Sequence, residues 1–296
     1  MQAVLMPDGV RLHLNDGPID LIVFAERDRR AAYDAACARF EGLLQELVDE
    51  LGELRREGGQ PRGPVGRRMA AATAPHAPDF ITPMAAVAGA VAEEILSVMG
   101  EAAPEGKQWV NNGGDIAWRP GGQPMRLAMP GGTVEIPPET PFRGCATSGR
   151  GGRSHSLGIA DTVTVLASGA AAADAAATMI ANRVDLPGHP AVRRQPACAL
   201  SPDSDLGDRL VTVDLGPITP EEAVEALERG ALHAEALLGR GLIGAAQLWL
   251  AGQGRMVAPR LPDPAMVETV VARARAEMGR ADQTAGPVGS GASVAG

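Results

Sequence analysis

The chain has 296 residues, 45% of them hydrophobic and 21% charged, with a formal net charge of −9. That length buries a sizeable core in one large domain or two small ones. The acidic balance and the lack of a basic stripe interleaved with aromatics exclude a nucleic-acid partner, and the single lysine, Lys107, lies in no G-x-x-x-x-G-K-[ST] loop, so P-loop nucleotide hydrolysis fails too.

In chain order, residues 10–14 (VRLHL) and 19–24 (IDLIVF) flank Asn15-Asp16-Gly17-Pro18, a strong hairpin signal. Leucines 43, 44, 47, 51 and 54 recur at helical spacing and predict one long amphipathic helix over residues 27–56. Residues 58–66, rich in Gly, Pro and Arg, read as a loop. Thr82-Pro83-Met84 carries N-cap chemistry for a second helix to about Met99. Its small residues Ala86, Gly89 and Ala90 permit close packing, or a helix end aimed at a phosphate.

Residues 107–118 read as a strand broken by two glycines, and residues 126–129 and 133–136 as another hairpin. Residues 162–167 (TVTVLA) are a buried strand by their β-branched content, and residues 170–184 an alanine-rich helix. Residues 209–215 follow as a strand and 221–240 as a helix after Thr219-Pro220. Residues 243–250 and 254–257 form a last hairpin, and residues 264–279 a last helix. Strands, helices and hairpins alternate irregularly. That pattern predicts an α+β fold, a mixed, mostly antiparallel sheet flanked by helices. The expected organisation is one domain over residues 1–280 and a disordered tail over 281–296, where Gly, Ser and Ala leave little to bury.

Three segments concentrate polar chemistry. In Asn111-Asn112-Gly113-Gly114-Asp115 two glycines free the backbone and leave amides bare for a ligand. The same pattern also makes an ordinary turn whose Asp bonds local amides. The run from Cys145 through Thr147, Ser148, Gly149, Arg150 and Arg153 to His155 has the glycines and guanidiniums of an anion nest. A solvated surface loop is the competing reading. Asp174 and Thr178, four apart on the alanine-rich helix, share a face, and a carboxylate with a hydroxyl suits a hard cation. An acid in a first helical turn is also common for dipole reasons alone. His155 is the candidate general base, and Cys145 a weaker candidate nucleophile with no identifiable partner.

The three cysteines, Cys37, Cys145 and Cys198, form neither a metal pair nor a disulfide framework. The first residues have no secretion-type pattern and no apolar run approaches 18 residues, so the expectation is a cytoplasmic protein away from membranes.

Taken in order, these motifs resemble the ApbE-type flavin transferases. That superfamily carries Asn-Ala-Gly-Gly-Asp on a strand, then a Thr-Ser-Gly loop, a His-containing motif, an apolar strand, and a helix with Ala-Asp-Ala-x-Ala-Thr. The resemblance covers about a quarter of the chain, through Asn111 to Asp115, Thr147 to Gly149, His155, Val163 to Ala167 and Asp174 to Thr178. It implies an ApbE-like, T-fold-related architecture. It also implies Mg²⁺ held by Asp174 and Thr178, and FAD or a related phosphate-bearing cofactor contacted by Asn112, Gly113, Gly114, Asp115, Thr147, Ser148 and Gly149. Asn111 beside them, and Arg150 and Arg153, which this loop gains relative to the family, are cofactor-binding candidates on their own chemistry. The implied reaction transfers FMN from FAD to a hydroxyl of an acceptor protein, with His155 as base. The sequence departs from the family where His155-Ser156-Leu157-Gly158-Ile159-Ala160-Asp161 replaces a His-Ile-x-Asp-Pro-x-Thr-Gly-like segment. An enzyme of another cofactor's biosynthesis, nucleotide or pterin in type, and a non-catalytic binding protein remain alternatives.

Overall fold

A computed structural model describes residues 1–129, 132–152 and 154–259. Among them, nine strands form one sheet: β1 (Gln2–Leu5), β2 (Leu12–Asp16), β3 (Ile19–Ala25), β4 (Gln108–Asn112), β5 (Asp115–Arg119), β8 (Gly144–Ser148), β9 (Thr162–Ala167), β12 (Ala245–Leu250) and β13 (Gln253–Val257), adjacent in that order. Every pairing in it is antiparallel. The α+β expectation is therefore met, with the sheet wholly rather than mostly antiparallel. Two two-stranded ribbons complete the strands, β6 (Met125–Met129) with β7 (Gly132–Ile136), and β10 (Val192–Pro196) with β11 (Leu210–Leu215). Residues 126–135 of the former make a separate unit whose strands carry an Arg126–Glu135 ion pair.

The helices are α1 (Arg29–Phe40), α2 (Leu43–Asp49), α3 (Leu51–Leu54), α4 (Pro64–Thr73), α5 (Val87–Ala102), α6 (Ala170–Arg183), α7 (Ala197–Leu200) and α8 (Pro220–Gly239). The single helix expected over 27–56 is instead three pieces. Gly42 takes a left-handed φ of 79° after Phe40, and Glu50 at φ −106° separates α2 from α3. Helix α4 begins inside the expected 58–66 loop, because Pro64 fits a first helical turn, where no amide partner is needed. Thr82 does not cap α5. A 3-10 turn, Pro83–Ala86, precedes that helix, and the Thr82 hydroxyl donates to Asp205 instead.

The 20-residue stretch Pro83–Ala102 is apolar and long enough to cross a bilayer, contrary to the reading that no such segment exists, but 61% of its most apolar window is buried inside the protein. It packs as a core helix. The expected helix 264–279 and tail 281–296 lie outside the described residues.

Two apolar cores flank α6. Ala170, Ala171, Ala175 and Met179 join the core built on β2–β5, α1 and α5. Ala173, Ala176, Ala177, Ile180 and Ala181 join the core of β9, β12 and α8. With those two stripes occupied, the remaining face of α6 carries Asp174 and Thr178. The crossing of α5 on α6 is so close that a Cβ on Gly89 would lie 2.3 Å from the Ala170 carbonyl oxygen. The small side of α5 therefore serves tight packing.

Candidate cofactor site

The β4–β5 hairpin turns through Gly113 and Gly114 at φ 64° and 113°, which fits a two-residue turn between the paired Asn112 and Asp115. The Asn111 side chain accepts the Gly114 amide at 2.8 Å and holds the turn. This leaves Asn112 and Asp115 buried at the hairpin tip, 4% and 7% exposed. The Asp115 carboxylate accepts the Thr147 amide at 3.0 Å, which links the tip to the end of β8. From α6, the Asp174 carboxylate accepts the Gly89 amide at 3.1 Å in the first turn of α5. Thr178 lies one turn further along and donates to the Ser148 hydroxyl at 3.4 Å.

Asn112, Asp115, Thr147, Ser148, Asp174 and Thr178 line one cleft of about 680 Å³, together with Gly113, Gly149, Gly151, Gly152 and His155. Asp115 and Asp174 are joined by a side-chain hydrogen bond within it. Burial raises the Asp174 pKa well above the ordinary carboxylate range and the Asp115 charge raises it further, against the lowering effect of the Gly89 and Ala88 amides. The Asn112 amide nitrogen donates to the Ala88 carbonyl at 3.1 Å, while its oxygen is buried with no partner. Two carboxylates, a hydroxyl and an unpartnered carbonyl oxygen are all hard oxygen donors. A cation such as Mg²⁺, which keeps several water or phosphate oxygens besides its protein ligands, fits this set. No group of three or more His, Cys, Asp or Glu side chains that could hold a metal occurs among the described residues. The hydroxyl and amide oxygens are thus needed.

The family's sequence profile, described as AbpE bacteria, matches residues 3–256. The chain belongs to this ApbE-like family. Curated relatives include the UPF0280 proteins of Methanosphaerula palustris, 39% identical over 113 residues, and of Methanopyrus kandleri, 38% identical over 117. Those matches cover 35% and 36% of this chain and 47% and 44% of the relatives, so the chain spans about half the length of the curated relatives it matches. Among solved structures, the flavin transferase ApbE from Vibrio cholerae aligns over 85% of this chain and 97% of its own, at 12% identity and a TM-score of 0.38.

For this ApbE-like chain, the residues expected from sequence divide into two groups. Asn112, Gly113, Asp115, Thr147, Ser148, Gly149, His155, Asp174 and Thr178 all line the cleft. His155 is exposed there. Three others are placed differently. Asn111 supports the turn, and Gly114 forms it without lining the cleft. Arg150 does not line the cleft either. Its guanidinium pairs with Asp161 at 2.6 Å, and its amide bonds the Ala160 carbonyl, because the loop folds back onto the start of β9. Arg153 lies outside the described residues.

Cys145 is buried in β8, and burial foremost, then the Asp115 charge, pushes its thiol up to about 12. This removes it as a nucleophile at neutral pH. Sequence reasoning missed one whole wall, formed by Arg55 at the end of α3 and by the segment from Ser201 to Leu206 after α7. The alternation Ser201-Pro202-Asp203-Ser204-Asp205 was the available signal for that segment. Arg55 stands beside Arg56 in a helical pattern, and nothing local separates the two.

Proposed function

We propose that the cleft binds a flavin-type, phosphate-bearing cofactor together with Mg²⁺, and that the chain transfers the FMN part of FAD to a hydroxyl acceptor. The observation that carries this reading is the convergence of Asp115, Asp174, Thr178 and the unpartnered Asn112 oxygen on a cleft whose lip carries the glycines Gly149, Gly151 and Gly152. Membership of the ApbE-like family supports it. Asp115, Asp174 and Thr178 would hold the cation, with the Asn112 oxygen completing the set. Bound there, the cation would neutralise charge on a pyrophosphate.

The chain's own residues supply the rest. The side-chain-free lip lets a phosphate approach backbone amides. The Gly89 and Thr147 amides orient the two carboxylates toward each other. His155, on the cleft and reachable by solvent, takes the proton of the attacking hydroxyl as that oxygen forms its bond to phosphorus. The AMP portion leaves with the electron pair of the broken P–O bond.

Thermal unfolding with FAD and Mg²⁺ tests the binding. Ligand at a hundredfold excess over its dissociation constant stabilises by about 2.7 kcal/mol, or about 5–10 °C for a chain this size. Asp174→Asn should abolish the Mg²⁺-dependent part. It should also raise the melting temperature of the ligand-free protein near pH 7, because a buried carboxyl whose pKa is raised destabilises the fold above its unfolded pKa and an amide does not. AMP release in the presence of an acceptor hydroxyl reports turnover. A melt unchanged by FAD at millimolar concentration overturns the flavin reading. A shift without AMP release reduces it to binding.

A further inference from the structure

Among the described residues, most arginines around α1–α4 are engaged; the exposed Arg62 is not, and neither is Arg55, which lines the cleft. Arg39 pairs with Glu46 and Glu94, Arg56 with Glu53, and Arg68 with Glu93 and Glu94. Of the acids near Arg55 in sequence, Glu57 is exposed and Glu50 and Glu53 are occupied. Glu50 accepts the Arg62 and Gly63 amides, and Glu53 accepts the Gln60 amide besides Arg56. The Arg55 side chain is half-buried, lines the cleft and makes neither an ion pair nor a hydrogen bond with any described residue, although Asp203 and Asp205 line the same cleft. Asp205 bonds Thr82 instead.

A half-buried guanidinium has lost part of its hydration, and an anion bound in the cleft would replace it. Its fork of donors matches two oxygens of a phosphate. The Arg55 backbone is fixed by its amide bond to the Leu51 carbonyl at 2.9 Å, so the side chain is presented from a held position.

We propose that Arg55 is a guanidinium that grips a phosphate of the ligand in this cleft, a part the sequence assigns to Arg150 and Arg153. The assignment rests on the phosphate-bearing ligand proposed above, but not on that ligand's being a flavin. It makes the N-terminal helices, which lie outside the motif set, part of the recognition surface. It also predicts that the protein reads the anionic part of its ligand separately from the ring system.

Calorimetric titrations with inorganic pyrophosphate, ADP, FAD and riboflavin, each with Mg²⁺, test this on wild type, Arg55→Ala and Arg55→Lys. Arg55→Ala should weaken pyrophosphate, ADP and FAD about tenfold to a hundredfold, and Arg55→Lys should recover part of that. Any riboflavin binding should be unchanged. Mg²⁺ titrated alone should bind wild type and Arg55→Ala equally, which separates this role from damage to the fold or the cation site. Pyrophosphate bound equally by wild type and Arg55→Ala overturns the proposal, as does a wild type that binds none of the three phosphate probes. Arg55-dependent binding of pyrophosphate with no response to FAD leaves the proposal standing and sinks the flavin reading alone.

Discussion

Asn112 and His76 are both buried polar side chains with an unpartnered atom, yet they imply different things. Asn112 opens on the cleft, where a ligand can complete it. His76 lies away from it, in the 3-10 turn after α4. Burial first, then His233 and Arg240, push its pKa from the ordinary 6.5 to about 4, against the opposing pull of Asp79. The folded chain therefore binds fewer protons than the unfolded chain between those two values, and stability falls as pH drops through that window. The loss should be on the order of 2 kcal/mol. Urea midpoints at pH 7 and pH 4.5 should differ less in His76→Phe than in wild type, and equal differences would show that the imidazole does not titrate as inferred. At this scale the sequence was informative wherever a residue type has narrow chemistry. Asp115, Asp174 and Thr178 were readable as oxygen donors. Arg150 and Arg55 were not distinguishable, because partner choice depends on Asp161 and Glu50, whose positions follow from the fold.

Elements with strong local chemistry were legible. Asn15-Asp16-Gly17-Pro18 produced the β2–β3 hairpin, and Thr219 with Glu222 forms a full capping box on α8. Where tertiary contacts outweighed local preference, sequence failed. Residues 145–148 read as part of a loop but belong to β8, between β5 and β9. Gly144 is indispensable to that strand's fit, since a Cβ there would lie 1.9 Å from the Gly169 carbonyl carbon. The α5–α6 crossing gives a test in which two effects oppose. In an exposed helix, Gly→Ala gains about 1 kcal/mol. At Gly89 the added methyl meets backbone at 2.3 Å, backbone that cannot swing aside. Overpacking of that kind costs about 1–3 kcal/mol or more. Gly89→Ala should therefore lower the denaturation midpoint and disturb the amide that Asp174 accepts. A stabilised variant would show that the crossing is looser than described.

At the scale of the molecule, the sheet runs from an edge strand exposed at every residue, β1, to central strands buried under helices. Amide exchange should reflect this gradient. Val163 and Val165 should exchange only through global unfolding, while Ala3 and Val4 should show little protection. Comparable protection at both would contradict the picture. The fold class was legible from the alternation of hairpins and helices. The division into two cores was not, because it depends on α6 offering alanines to both sides.

The join between those cores has a consequence. Strands β5 and β8 are held in register through two residue pairs, Ile116 with Cys145 and Ala117 with Gly144. Asp115 belongs to one side of this seam and Thr147 to the other, with Asp174 on the helix wedged against both. Neither half of the chain owns the centre. A polypeptide truncated or mispaired at the seam would keep much of its secondary structure yet be blind to its ligand. Ligand binding therefore requires that the two halves have paired.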